Sequence, residues 1–87
     1  MWVALTRREQ IQTGKKIRKI VLEGDIVHET VYEILRFGNH YFFIQLISQN
    51  GREFLEEQKL VTPYSIQNLL YHGFEILEED ENEEVDN

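Results

Sequence analysis

Three turn-forming dipeptides, Gly24-Asp25, Gly38-Asn39 and Asn50-Gly51, punctuate the middle of the chain, and each separates runs rich in β-branched and aromatic residues. Glycine and asparagine accept the positive φ angles of tight hairpins at little steric cost, so such runs fold back on one another. The sequence therefore predicts an antiparallel meander. Its strands are expected over residues 16–23, 26–37, 40–48 and 53–61. Asn50-Gly51 is the clearest of the three signals, because Asn-Gly fits a type I′ turn. It favours a strand over a helix for the ambiguous run 53–61, where Phe54, Leu55 and Gln58 could also share a helix face. Residues 41–44 and 46–47 are apolar on both alternating faces, which places the 40–48 strand centrally in the sheet.

Helical signals lie elsewhere. Thr62 is a suitable N-cap, Pro63 suits a first helical turn, and Gly73 suits the position after the last turn. Ile66, Leu69 and Leu70 would form the buried stripe of a helix over residues 63–72. Thr6-Arg7-Arg8-Glu9 matches a capping box, so a shorter helix is expected there, closed by Gly14. Residues 2–6 read as a strand or a hydrophobic lead-in, and residues 74–77 as a final strand. The expected class is α+β, with a small antiparallel meander and one main helix packed across the sheet. Residues 1–77 are expected to form one domain and residues 78–87 a disordered acidic tail.

Charge is distributed unevenly. The chain of 87 residues has a formal net charge of −7, but seven of its 16 acids fall in residues 78–87. The remainder is formally neutral, with Arg7, Arg8, Lys15, Lys16, Arg18 and Lys19 opposed in that stretch only by Glu9. A basic front followed by an acidic end admits two electrostatic partners, phosphate backbones and basic proteins. There is no cysteine, which removes disulfides, thiolate metal sites and cysteine nucleophiles, and no cofactor is expected. Uninterrupted apolar runs such as Met1–Leu5 and Tyr41–Ile44 stay far short of the ~20 residues a spanning helix needs. With no signal or lipidation pattern, a cytoplasmic protein without a membrane partner is expected.

Catalytic motifs are missing: there is no phosphate loop, dinucleotide fingerprint, nucleophile elbow or H-E-x-x-H pair. His28 has Glu23, Asp25 and Glu29 near it in sequence, a pattern that an ordinary solvated turn explains. His40 follows a turn, and His72 ends a helix, where a cation suits the dipole. No metal site and no enzymatic activity are expected.

The leading functional expectation is a non-enzymatic protein-binding module of regulatory or inhibitory type, the kind of small acidic protein that phages and mobile elements encode. Its contact surface would be Tyr64, Gln67, Asn68 and Tyr71 on the 63–72 helix, or an exposed sheet edge. The alternative is a nucleic-acid-binding module using Arg7, Arg8, Lys15, Lys16, Arg18 and Lys19, with the acidic tail as an electrostatic mask. A homodimer is a third expectation, since two-fold dimers are the commonest oligomers.

Overall fold

The computed structural model describes residues 1–78. They form a seven-stranded, wholly antiparallel sheet with one short helix. The strands are β1 (Trp2–Ala4), β2 (Lys16–Glu23), β3 (Ile26–Gly38), β4 (Tyr41–Gln49), β5 (Arg52–Glu53), β6 (Val61–Tyr64) and β7 (Phe74–Leu77), and the helix is α1 (Ile66–Tyr71). Their lateral order is β1-β7-β2-β3-β4, after which β5 and β6 share the outer side of β4. The architecture is mainly β and broadly compatible with the expected α+β class. The tail from residue 79 lies outside the described residues.

The meander forms from local turn chemistry. β2 and β3 join through Gly24-Asp25, where only Gly24 has positive φ (63°), the pattern of a type II′ turn. β4 and β5 join through Asn50 and Gly51, both at positive φ (53° and 81°), as expected for type I′. The middle hairpin differs by one residue from its expected turn. Gly38 pairs with Tyr41, so the loop is Asn39-His40, with φ of 55° and 73°.

Two other elements differ more. The strand expected over 53–61 breaks after Glu53 into a 3-10 turn at Glu56–Gln58, and pairing resumes at Val61 against Gln45. The Gln58 side chain accepts from the Leu55 amide at 3.1 Å, which stabilises the break locally. The helix expected from Pro63 begins at Ile66. Ser65 is its N-cap, with Oγ accepting from the Asn68 amide at 3.1 Å. Thr62 precedes a proline, which disfavours helical backbone, and Pro63 instead sits in the edge strand β6, where a missing N–H is tolerated. At the front, only a 3-10 turn forms at Arg8–Gln10. The Gln10 carboxamide, rather than Glu9, reaches back to the Thr6 and Arg7 amides, 2.8 Å from each.

One face of the sheet carries the core. Ile17, Ile34, Ile44, Ile76, Phe42 and Phe74 project from it, and Leu5, Ile11 and Leu69 cover it from the front loop and α1. Ile66 and Leu70 pack against this cluster, so the anticipated helical stripe is the one that faces the core. Two bulges in the β3–β4 ladder skip Leu35 and Ile47. Bulges increase local twist and bend a sheet. The buried core cluster lies on one face alone; the opposite face carries half-buried residues such as Leu35, Phe43 and Ile47. There Arg18 joins neighbouring strands, donating to Glu75 at 2.7 Å and to Glu29 at 2.8 Å.

Candidate interaction surface

β3 is 13 residues long, but its flanking strands do not run its full length. β7 pairs with β2 only through Ile17, Arg18 and Lys19, and β4 pairs with β3 from Thr30 onward. The residues from Ile20 to His28 thus overhang the sheet as a two-stranded arm closed by the Gly24-Asp25 turn, while Glu29 is tied to Asn50 by two hydrogen bonds of 2.7 Å. The arm's sequence is apolar on both faces. Cross-strand partners in an antiparallel ladder share a face. The register therefore puts Val21 and Ile26 on the core-bearing side with Lys19, Glu23, His28 and Thr30, and Ile20, Leu22 and Val27 on the other side with Arg18 and Glu29.

This arm holds five of the twelve large hydrophobic residues exposed among the described residues: Ile20, Val21, Leu22, Ile26 and Val27. Leu22 is the most open of the five, at 71% exposure. Apolar side chains of this size each gain roughly 1.5–3 kcal/mol on full burial, so a cluster left in water is a strong determinant of association. Where the arm leaves the body, an open groove of about 530 Å³ is lined by residues that include Lys19, Val21, Glu23, His28, Thr30 and Tyr32.

The predicted helix patch is divided. Gln67, Asn68 and Tyr71 are exposed on α1, Tyr71 at 74%. Tyr64 belongs to β6 rather than the helix, and it packs against the core with its ring 6.2 Å from Tyr32 and 5.9 Å from Phe74. Within this ring cluster, burial pushes the Tyr32 hydroxyl up to about 12, with smaller contributions from the charge and hydrogen bond of Tyr64.

The basic residues of the front do not converge on one surface. Arg7 and Lys16 are exposed, while Arg8 lies over the Phe42 ring at 4.9 Å and the Phe37 ring at 5.7 Å. Lys15 pairs with Glu78 at 3.2 Å. Arg18 is held between Glu75 and Glu29 and stacks 4.5 Å over Trp2. Burial opposes the Arg18 charge, but its hydrogen bonds and attraction to the two carboxylates outweigh that and raise its pKa. Strand alternation sends Lys19 to the face opposite Lys16 and Arg18, where its ammonium sits 5.4 Å from the Phe74 ring. His28 meets Glu23 at 3.2 Å, while His40 and His72 are exposed and far from it in the chain.

The arm itself was not singled out by sequence reasoning. Its signal is the pair of apolar runs flanking the turn, Ile20-Val21-Leu22 and the shorter Ile26-Val27, which resemble ordinary strand interior. Only the lengths of β4 and β7 reveal that nothing covers them. Among the described residues, no helix is long and apolar enough to cross a membrane. Comparison with protein-family models, curated proteins and solved structures returns no match.

Proposed function

We propose that this chain is a non-enzymatic protein-binding module of regulatory or inhibitory type, acting in the cytoplasm and engaging its partner through the β2–β3 arm. The observation that carries this reading is the concentration of Ile20, Val21, Leu22, Ile26 and Val27 on one overhanging hairpin. A hairpin with exposed apolar side chains on both faces fits a groove or an exposed face of another protein. The Glu23 and Asp25 carboxylates near its apex make an anionic lipid surface a poorer match. Gln67, Asn68 and Tyr71 supply a second, more polar surface on α1 that can add rim contacts.

The basic residues support the nucleic-acid alternative less well. Phosphate tracking calls for cations aligned on one surface, whereas Lys15 and Arg18 are paired with carboxylates and Lys16 and Lys19 occupy opposite faces.

The test compares the tagged protein with its Leu22→Ser/Val27→Ser double variant in affinity capture from native lysate, with nuclease present and across a salt series. Both substituted side chains are exposed on the same face, so circular dichroism of the variant is expected to match the parent. The expected result is a discrete protein retained by the parent in stoichiometric amount and lost by the variant. Equal capture by both proteins, or recovery that nuclease abolishes, would overturn the reading.

A further inference from the structure

The core-side face of the arm has a charge order that can be matched by a copy of itself. Lys19, Val21 and Glu23 alternate onto this face, with the two opposite charges placed symmetrically about Val21. Lys19 has no carboxylate partner among the described residues, and its ammonium sits 5.4 Å from the Phe74 ring. The Glu23 side chain is 79% exposed, and its carboxylate meets the His28 ring at 3.2 Å. Stacking this face on a second copy, about a two-fold axis across the strands at Val21, brings Val21 against its twin. Each Lys19 then stands over the other copy's Glu23, and each Ile26 over the other copy's Thr30. A two-fold axis in this orientation keeps β2 above β2 with reversed direction, so the two bodies lie at opposite ends of the stacked arms.

We infer that the occupant of the groove beside the arm is the arm of a second copy of this chain, giving an isologous dimer held by Val21 and Ile26 and registered by two Lys19–Glu23 pairs. The groove of about 530 Å³ lies where the partner's turn would arrive, walled by Tyr32 and Thr30. Edge-to-edge pairing of two β2 strands in the same Lys19–Glu23 register is blocked, because Phe74 of β7 already occupies the position beside Lys19. Face-to-face stacking avoids that conflict. It also leaves Ile20, Leu22 and Val27 outward on both arms, so the dimer would still present that face of each arm to a partner protein. The inference rests on the same arm as that functional reading but needs only its core-side face, whereas Leu22 and Val27 test the other, so the two fail separately.

The test is charge reversal read by sedimentation equilibrium at low salt, over a concentration series reaching about 1 mM. The parent is expected to approach twice its 10.5 kDa chain mass. Lys19→Glu alone and Glu23→Lys alone should each weaken self-association at least about tenfold, since each places like charges opposite one another. An equal mixture of the two variants should recover the dimer, because position 19 of each copy then faces the opposite charge at position 23 of the other. Thermal unfolding of each variant checks that the body remains folded, and Glu23→Lys, at an exposed site, serves if loss of the Lys19–Phe74 contact unfolds the other. In that case the Glu23→Lys variant is judged alone, by its weakened dimer. A monomeric parent throughout the series would overturn the inference and leave the arm to a heterologous partner. A dimer unaffected by Glu23→Lys, or a mixture of folded variants that stays monomeric, would overturn it as well.

Discussion

Arg18 is bonded to Glu75 across the β2–β7 boundary, its Nε 2.7 Å from the carboxylate oxygen, at the last stretch where those strands pair. The same guanidinium reaches Glu29 on β3 and covers the Trp2 ring, so one side chain joins four strands on the face opposite the core. The Arg18 side chain is 21% exposed, which limits solvent screening of these bonds. Arg18→Met keeps most of the apolar stem but leaves two carboxylates facing each other. It is expected to cost about 2 kcal/mol in urea unfolding, and Glu75→Gln about 1 kcal/mol. A loss below about 0.5 kcal/mol for Arg18→Met would show that the ladder is ornamental to stability.

Tyr32 makes stability depend on pH at the alkaline end. Burial raises its hydroxyl to about 12 in the folded chain, above the value near 10 of an unfolded tyrosine. The folded state therefore holds this proton more tightly. The stabilisation is complete below about pH 10 and is lost as pH rises through about 12. Tyr32 is only partly buried, so the loss is expected to be about 1–2 kcal/mol rather than the full value of the shift. Urea titrations at about pH 9 and about pH 11 should show the decline, and Tyr32→Phe should flatten it. An equal decline in the phenylalanine variant would assign the effect to other groups.

Much of the sheet was legible because turn chemistry acts locally. β2 follows from its β-branched residues and the Gly24-Asp25 turn, and β7 from the short run Phe74-Glu75-Ile76-Leu77 after Gly73. The helix start was misplaced because Thr62-Pro63 and Ser65 are both competent caps in sequence. The choice fell to pairing of Val61–Tyr64 with β4, a contact that spans about twenty residues of chain and leaves no local mark. That pairing also carried Tyr64 from a supposed helix surface into the aromatic cluster. The arm was hidden for a related reason. Overhang is a difference between strand lengths, and β4 and β7 end where they do because of their own turns, not because of anything in residues 20–28.

The β3–β4 turn stores strain that the neighbouring hairpin avoids. His40 has φ of 73° with a full side chain, while the equivalent second position of the β4–β5 turn is Gly51, with φ of 81°. A left-handed conformation costs a non-glycine residue roughly 1 kcal/mol, whereas glycine adopts it freely. Glycine also raises the entropy of the unfolded chain, which offsets part of that gain. His40 is exposed, so its replacement removes little packing. His40→Gly is therefore expected to stabilise the protein by about 0.5 kcal/mol and to raise its melting temperature by a few degrees. The reciprocal change, Gly51→Ala, should destabilise by about 1 kcal/mol even though nothing lies within 4 Å of the added methyl group, because the penalty comes from backbone conformation alone. Differential scanning calorimetry of the two variants beside the parent measures both signs. A destabilising His40→Gly would mean that the histidine ring, rather than its backbone, governs the turn.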